Sequence, residues 1–219
     1  MKQSIVYKIP YHEWKILMAC GNVKQIYGLT FEEHSILERE MLLLLHDMVQ
    51  KRMLCVEDDQ LKPCGKYKYM LELVRKSEQF LALEYMREDS LKKGSLYLGE
   101  QLLWVENSDC RKETYEMTLI SKNDWEEWIL EQTFFPSYQS LPIEENWREG
   151  NEEHIEEKRF WARICKVETG ESSRELLVYE KQEKEYLRRK EKENCSFLIY
   201  HQNHLLKELK RWISDCVLS

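Results

Sequence analysis

The stretch "YEMTLISKNDWEEWIL", residues 115–130, returns in altered form as "CSFLIYHQNHLLKELKRWI", residues 195–213. Each stretch begins with a β-rich segment, continues through polar residues and ends in a helix that carries tryptophan. Apolar residues three and four positions apart line one side of such a helix. We therefore interpret residues 80–135 and 160–216 as two diverged copies of a meander of strands followed by a helix. The alternative is a coincidence between unrelated parts of an α+β chain.

The tryptophans of the first copy stand among carboxylates, and the helix period separates the two groups. Trp125, Trp128 and Ile129 fall on one side. Glu126 and Glu127 point in other directions and lie in the first turn, where the helix dipole favours negative charge. The pattern predicts a buried tryptophan face and an exposed acidic one. The C-terminal helix has an equivalent apolar face, formed by Leu205, Leu209, Trp212, Ile213 and Cys216.

Short β-rich segments with a period of two fill residues 80–120 and return after residue 159. In the first copy, the intervening "REDSLKKG", "EQ" and "SDCRK" predict turns. In the second copy, "EKEYLRRKEKEN" (residues 183–194) alternates charges and predicts a solvated helix or a long turn. The strongly acidic residues 143–159 between the copies predict an exposed linker.

Residues 1–79 predict a strand followed by helices and a small hairpin, an arrangement similar to a winged helix. The first helix is expected to end at Gly21 in a left-handed conformation. Thr30 and Glu33 form a capping box before the next helix, and an acidic turn over Glu57–Gln60 predicts the hairpin. The inward face of the second helix is predicted to comprise Leu37, Met41, Leu44, Leu45, Met48 and Val49.

Together these elements predict an α+β protein built on a mostly antiparallel sheet, with quasi-duplicated strand-strand-helix units and an N-terminal winged-helix-like part. We expect residues 1–219 to form a single compact domain, because a chain of this size buries roughly 70% of its unfolded surface. Its parts are the helical residues 1–79, the first sheet-helix unit at 80–142, the acidic linker at 143–159 and the second sheet-helix unit at 160–219.

The net charge of −7 opposes a general nucleic-acid or anionic-membrane surface, because phosphates require compensating Lys and Arg. The longest apolar runs, such as Met41–Leu45, are far shorter than the ~20 residues of a membrane span. The N-terminus has no signal-peptide pattern. Seven cysteines without regular spacing predict free thiols. We therefore expect a cytoplasmic protein.

Phosphate-binding, dinucleotide-binding and hydrolase glycine motifs are all absent from the sequence. His201 and His204 have an H-x-x-H spacing, but they are better explained as capping or surface residues than as metal ligands. The acids of residues 152–157 lack the rhythm of a calcium loop. A Cys–His nucleophile pair formed in space stays open. We predict no catalytic residue, no cofactor and no metal, in a protein that is not an enzyme.

Two other classes of binding protein stay open. The winged-helix arrangement suits a DNA-binding regulator, with residues 36–52 as the candidate recognition helix. That helix is expected to expose Glu38, Glu40 and Asp47, and the hairpin tip adds acids that also repel phosphates. An immunity protein that neutralises a toxin equally suits an acidic chain without catalytic motifs.

The layout of these elements resembles the EspG family of cytoplasmic chaperones from ESX (type VII) secretion systems. The opening "IVYKIPYHEWKILMACG" (residues 5–21) is similar to the strand and helix that begin that fold. "LLLLHDMVQKRMLCVEDDQLKP" (residues 42–63) is similar to its helix that turns into a short hairpin. The strands after residue 80, the tryptophan-bearing helix before Pro136 and the second sheet-helix unit complete the resemblance.

The resemblance implies a protein-binding chaperone or adaptor that keeps a helical secretion substrate soluble and delivers it to the export machinery. In the family, the loop between the second and third strands and the C-terminal helical region contact the substrate. The matching loop is "REDSLKKGS" (residues 87–95), with Leu91, Lys92 and Lys93 near its tip. The matching helical face carries Leu205, Leu209, Trp212 and Ile213, for which a place in the core is the alternative.

Overall fold

A ten-stranded sheet organises the protein, and two further strands form a separate hairpin. The computed structural model describes residues 4–24, 26, 36–109, 114–132, 134–136, 147–149, 159–168, 171–181 and 183–217. The strands are β1 (Ile5–Pro10), β2 (Leu54–Glu57), β3 (Gln60–Pro63), β4 (Gln79–Arg87), β5 (Ser90–Tyr97), β6 (Leu102–Asp109), β7 (Thr114–Ile120), β8 (Arg148–Glu149), β9 (Arg159–Glu168), β10 (Glu171–Lys181), β11 (Lys184–Glu191) and β12 (Asn194–Ile199). The helices are α1 (Tyr11–Cys20), α2 (Glu38–Gln50), α3 (Gly65–Lys76), α4 (Trp125–Glu131) and α5 (Gln202–Val217).

Two four-stranded meanders lie side by side in the sheet, in the order β1-β7-β6-β5-β4-β9-β10-β11-β12-β8. The first meander, β4 to β7, leads into α4, and the second, β9 to β12, leads into α5. They join where β4 pairs antiparallel with β9, with Leu83 opposite Ile164. The predicted α+β class, the antiparallel sheet and the repeated meander-and-helix topology are confirmed.

The first meander is covered by helices on both faces, because its strands alternate apolar side chains between the two. In β6, Leu102 and Trp104 join the cluster that includes α4 and α5. Leu103 and Val105 point the other way and join the cluster formed with α1, α2 and α3. The N-terminal helices and hairpin therefore pack on one face of the sheet, and the two tryptophan-bearing helices pack on the other.

Strand β11 replaces the helix or long turn that the charge alternation of residues 183–194 predicts. It pairs with β10 and β12, and its Leu187 is fully buried. Its charged side chains have partners nearby, as where Arg189 donates to Glu208 of α5 at 3.1 Å. The prediction is wrong because ion pairs with neighbouring elements stabilise charges that look solvated in the local sequence.

Gly21 follows α1, but not in the left-handed conformation that the sequence predicts. Its φ of −88° lies in the right-handed region, and the positive φ of 55° belongs to Asn22. A Cβ at Gly21 would stand 2.9 Å from Cδ1 of Leu71 in α3. The glycine therefore allows the close approach of α3 rather than a left-handed turn.

Part of the predicted organisation lies outside the described residues, namely the Thr30–Glu33 capping box and most of the acidic linker. Within that linker, β8 is described and pairs with β12. The hairpin over Glu57–Gln60 is confirmed, since β2 and β3 meet across a turn of two residues there. The division into one domain with four parts stays a prediction.

Candidate protein-docking surfaces

The predicted loop of residues 87–95 is a tight hairpin between β4 and β5. Arg87 pairs with Ser90, and the two residues between them, Glu88 and Asp89, have φ of 51° and 56°. Positive φ at both central positions is typical of a type I′ turn, whose twist matches that of the flanking strands. The predicted contact residues Leu91, Lys92 and Lys93 therefore lie on strand β5 and not at a loop tip.

The three predicted contact residues of the hairpin have different surroundings. Leu91 is 53% exposed. The ammonium group of Lys93 lies 2.9 Å from a carboxylate oxygen of Glu84 on β4. Lys92 lines a polar pocket of about 260 Å³ beneath the hairpin. Leu91 is thus the exposed apolar side chain that this hairpin offers to a partner.

Two residues that line the pocket beside Lys92 are joined by a buried hydrogen bond. The hydroxyl of Tyr85 donates to the carboxylate of Glu106, which is 8% exposed. Burial raises the pKa of Tyr85, and the negative charge of Glu106 raises it further, so the hydroxyl keeps its proton. On the neighbouring strand, a Cβ at Gly94 would meet the indole of Trp104 at 2.3 Å. These contacts fix the base of the hairpin.

The predicted contact face of α5 is buried in the core. Leu205, Leu209 and Trp212 have no exposed surface, and Ile213 is 7% exposed. They pack with residues of both meanders on the face that α4 also covers. Core packing explains these four side chains. Their contact with a partner stays a prediction, and it would require α5 to leave the sheet.

The tryptophans of α4 are core residues, as their spacing predicts. Trp125 and Trp128 are 6% and 8% exposed. The ring of Trp128 lies 5.7 Å from that of Trp104 on β6. An acid on another side of α4, Glu126, pairs with Lys210 of α5 at 2.9 Å. Tryptophans and carboxylates therefore serve different faces of one short helix.

Helix α2 exposes leucines that the predicted inward face does not include. Leu42 and Leu43 are 62% and 64% exposed, and Met48 is the only fully buried residue of the helix. Leu37, predicted to point inward, is 70% exposed, because it precedes the helix and is not held in the helical phase. The run "LLLL" at residues 42–45 is the sequence signal from which exposed leucines could have been predicted. Residues about 100° apart around the axis cannot all bury on one face.

A groove of about 590 Å³ lies between α2 and the start of α1. It is lined by the carboxylates of Glu13, Glu40 and Asp47 and by the apolar side chains of Ile36, Leu43 and Leu44. The ammonium group of Lys51 joins two of these acids, at 2.7 Å from Asp47 and 3.1 Å from Glu13. Hydrogen bonds to Asp47 and Glu13 raise the pKa of Lys51. Pro10 and His12 complete the lining, which combines apolar side chains with an excess of carboxylates.

His201 caps the start of α5, as one of the two sequence interpretations predicts. The backbone N–H of Asn203 donates to Nδ1 of His201 at 3.2 Å, and His201 is 5% exposed. A side-chain acceptor at this place satisfies one of the free N–H groups of a helix start. In the part of the chain that the structure describes, no group of three or more His, Cys, Asp or Glu residues could hold a metal ion.

The described cysteines agree with the expectation of free thiols. Cys20, Cys55, Cys64, Cys165 and Cys195 are all unbridged. The side chains of the other two cysteines lie outside the description, and the prediction for them stays open. Among the helices of the described ranges, none is long and apolar enough to cross a membrane.

No family model and no curated protein matches the chain. Twelve chains of solved structures match, and one is the Mycobacterium tuberculosis type VII secretion system chaperone EspG5, solved in complex with a PE25–PPE41 dimer. The two structures match with a TM-score of 0.59. The match covers 91% of this chain and 92% of that chain, at 7% sequence identity. The chain has an EspG-like fold. The resemblance read from the order of the elements is confirmed at the level of fold.

Proposed function

We propose that the protein is a non-catalytic, cytoplasmic chaperone or adaptor that binds a helical type VII secretion substrate. The observation that supports this most is the EspG-like fold along 91% of the chain, since EspG5 is a secretion chaperone solved with a bound protein dimer. Exposed leucines on two separate surfaces, Leu91 on β5 and Leu42 and Leu43 on α2, also suit a protein partner.

The distribution of charge supports a protein partner over a nucleic acid. The candidate recognition helix α2 exposes Glu38 and Glu40, and the tip of the β2–β3 hairpin exposes Asp58 and Asp59. Acids at both places repel a phosphate backbone. A gel shift with duplex DNA at physiological salt is expected to show no complex, and a complex that weakens steeply with salt would favour the regulator instead.

The β4–β5 hairpin is the first contact surface of this proposal. Leu91 supplies an apolar contact, and Lys93, whose ammonium group also pairs with Glu84, lies on the same side of β5. Lys92 lies on the other side of the strand and supplies a second positive charge. We assign a supporting role to the buried face of α5, which holds that helix on the sheet. Its residues are Leu205, Leu209, Trp212 and Ile213.

The proposed function is tested by co-expression with a partner identified by cross-linking in the native cell. The partner's soluble fraction is expected to rise with the protein, and the two are expected to co-elute in size-exclusion chromatography. Leu91→Asp is expected to lower the yield of the complex. Val56→Asp, at a valine that is also mostly exposed and lies on the β2–β3 hairpin, is the control. A partner that is soluble alone and forms no complex would contradict the proposal.

A further inference from the structure

The outward side of α2 carries two adjacent exposed leucines, Leu42 and Leu43, among charged and polar residues. Leu44 and Leu45 pack against the cluster beneath the helix, whereas Leu42 and Leu43 point away from it. Contiguous exposed apolar surface that is rimmed by polar residues is typical of a contact surface. The described residues of the protein leave this side of α2 exposed.

The groove beside α2 adds charge to this apolar surface. Leu43 belongs to both, because it is exposed and also lines the groove. Three carboxylates line the groove, and the Lys51 ammonium contacts two of them. The excess of negative charge favours a partner that carries Lys or Arg beside its apolar residues.

The backbone of α2 decides between a helical and an extended partner. A helix satisfies its own N–H and C=O groups, so α2 presents side chains and offers no ladder of hydrogen bonds to a strand. An amphipathic helix, whose backbone is likewise satisfied, can place a stripe of apolar side chains against such a surface. A helix is therefore the occupant that fits.

We propose that Leu42, Leu43 and the groove between α2 and α1 bind an amphipathic helix of a partner protein, with Lys or Arg flanking its apolar stripe. The helical nature of the partner rests on the proposed function. The surface itself goes beyond that function, because it lies on the N-terminal helices and apart from the β4–β5 hairpin. Here the leucines supply apolar contact, and Glu40 and Asp47 lie where flanking cations would pair.

The test uses two labelled peptides of about 20 residues, both with leucines at the a and d positions of a heptad. One carries Lys at the flanking e and g positions, and the other carries Glu there. Fluorescence anisotropy is expected to show saturable binding of the Lys peptide to the full-length protein. The Glu peptide is expected to bind about tenfold more weakly or worse, and added salt is expected to narrow the difference.

The double variant Leu42→Gln/Leu43→Gln is expected to weaken binding of the Lys peptide by about tenfold or more. Val56→Gln, at an exposed apolar residue on the β2–β3 hairpin, is the control and is expected to leave this binding unchanged. Circular dichroism and thermal melts of both variants establish that they remain folded.

Several results would overturn the proposal: no saturable binding of the Lys peptide, equal affinity for both peptides, or binding that survives the double variant. Sedimentation of the protein alone tests for a second copy as the occupant, since a dimer that depends on Leu42 and Leu43 would also overturn it. Failure here is distinguishable from failure of the proposed function. If the wild type and the double variant keep a co-expressed partner equally soluble, the proposed function stands and the proposed surface on α2 is wrong.

Discussion

Helices α5 and α2 are both rich in leucine, yet the fold buries Leu205, Leu209 and Trp212 of α5 and leaves two leucines of α2 exposed. In α5 the apolar residues Leu205, Leu209 and Trp212 are spaced by four and three positions, so the sheet buries all of them completely. In α2 four leucines follow one another, and Leu42 and Leu43 remain exposed. Regular spacing lets a core bury a helix face, while consecutive apolar residues leave a remainder for a partner.

The two helices also differ in the ion pairs that connect them to the neighbouring elements. Glu208 of α5 is 7% exposed and accepts a hydrogen bond from Arg189 on β11. In α2 the residue after the helix, Lys51, reaches back to Asp47 and across to Glu13 of α1. The Lys51 side chain is 51% exposed, so water screens these pairs. Core packing therefore holds α5, and weaker surface contacts contribute more to holding α2.

The largest effect is expected for Trp212→Ala in the middle of α5. The side chain is fully buried, and removal of a large aromatic from a core costs about 3–5 kcal/mol. Urea unfolding measures the loss of free energy. A loss of free energy below about 1 kcal/mol would contradict the contrast between α5 and α2, because α5 would then not be part of the core.

A somewhat smaller effect is expected for Trp128→Ala in α4, the helix that follows the first meander. Trp128 is 8% exposed and packs on Trp104. We expect a loss of about 3 kcal/mol, at the lower end of the range for buried aromatics. Thermal melts check it, with Trp128→Phe as the control that retains most of the packing. An unchanged melting temperature for Trp128→Ala would show that this side of α4 is an exposed surface and not part of the core.

A modest effect is expected for Lys51→Met, which removes the ion pairs between α2 and α1. We expect a loss of about 0.5–1 kcal/mol at neutral pH, as for other partly exposed ion pairs. The pKa of Lys51 is raised from 10.5 in the folded state. The contribution is therefore complete below 10.5 and is lost as the pH rises through the folded value.

Urea titrations of wild type and Lys51→Met from neutral to alkaline pH measure this contribution. The difference between the two proteins is expected to be constant at neutral pH and to shrink above the ordinary lysine range. A difference that grows with pH would contradict the assigned role of Lys51.

The smallest effect on stability is expected for Leu42→Gln/Leu43→Gln. Both side chains are mostly exposed, and glutamine is a good helix former, so the free energy of unfolding should change by about 0.5 kcal/mol or less. Denaturant titration of the double variant measures it. A loss comparable with that of Trp212→Ala would show that the outward leucines are core residues and would remove the contrast between the helices.

The sequence predicts the parts of the fold whose signal is local. The amphipathic spacing of α4 and α5 identifies Trp128 and Trp212 as residues of apolar faces, and the acidic turn over Glu57–Gln60 identifies a hairpin. The order of strands and helices is enough to indicate an EspG-like layout. The helix faces and the hairpin rest on a period or a turn within about 20 residues, which local backbone geometry dictates.

The candidate site was harder to predict because exposure depends on what packs nearby. The polar segment "REDSLKKG" predicts a turn and so places Leu91 in a loop, whereas strand β5 begins at Ser90. The leucine run of α2 holds more apolar side chains than one helix face can bury, a signal that the predicted inward face does not use. The sequence of α2 does not indicate which two of these leucines remain exposed in the folded protein.

By itself, therefore, the sequence determined the helix faces, the short hairpin and the repeated strand-and-helix pattern, because these follow from the 3.6-residue and two-residue periods of the backbone. Only the tertiary structure decided that residues 184–191 form a strand, since their charges are satisfied by elements distant in sequence. It also decided that β4 pairs with β9 and that Leu42 and Leu43 face outward. These outcomes depend on which surfaces meet when the whole chain packs, and no local period encodes that.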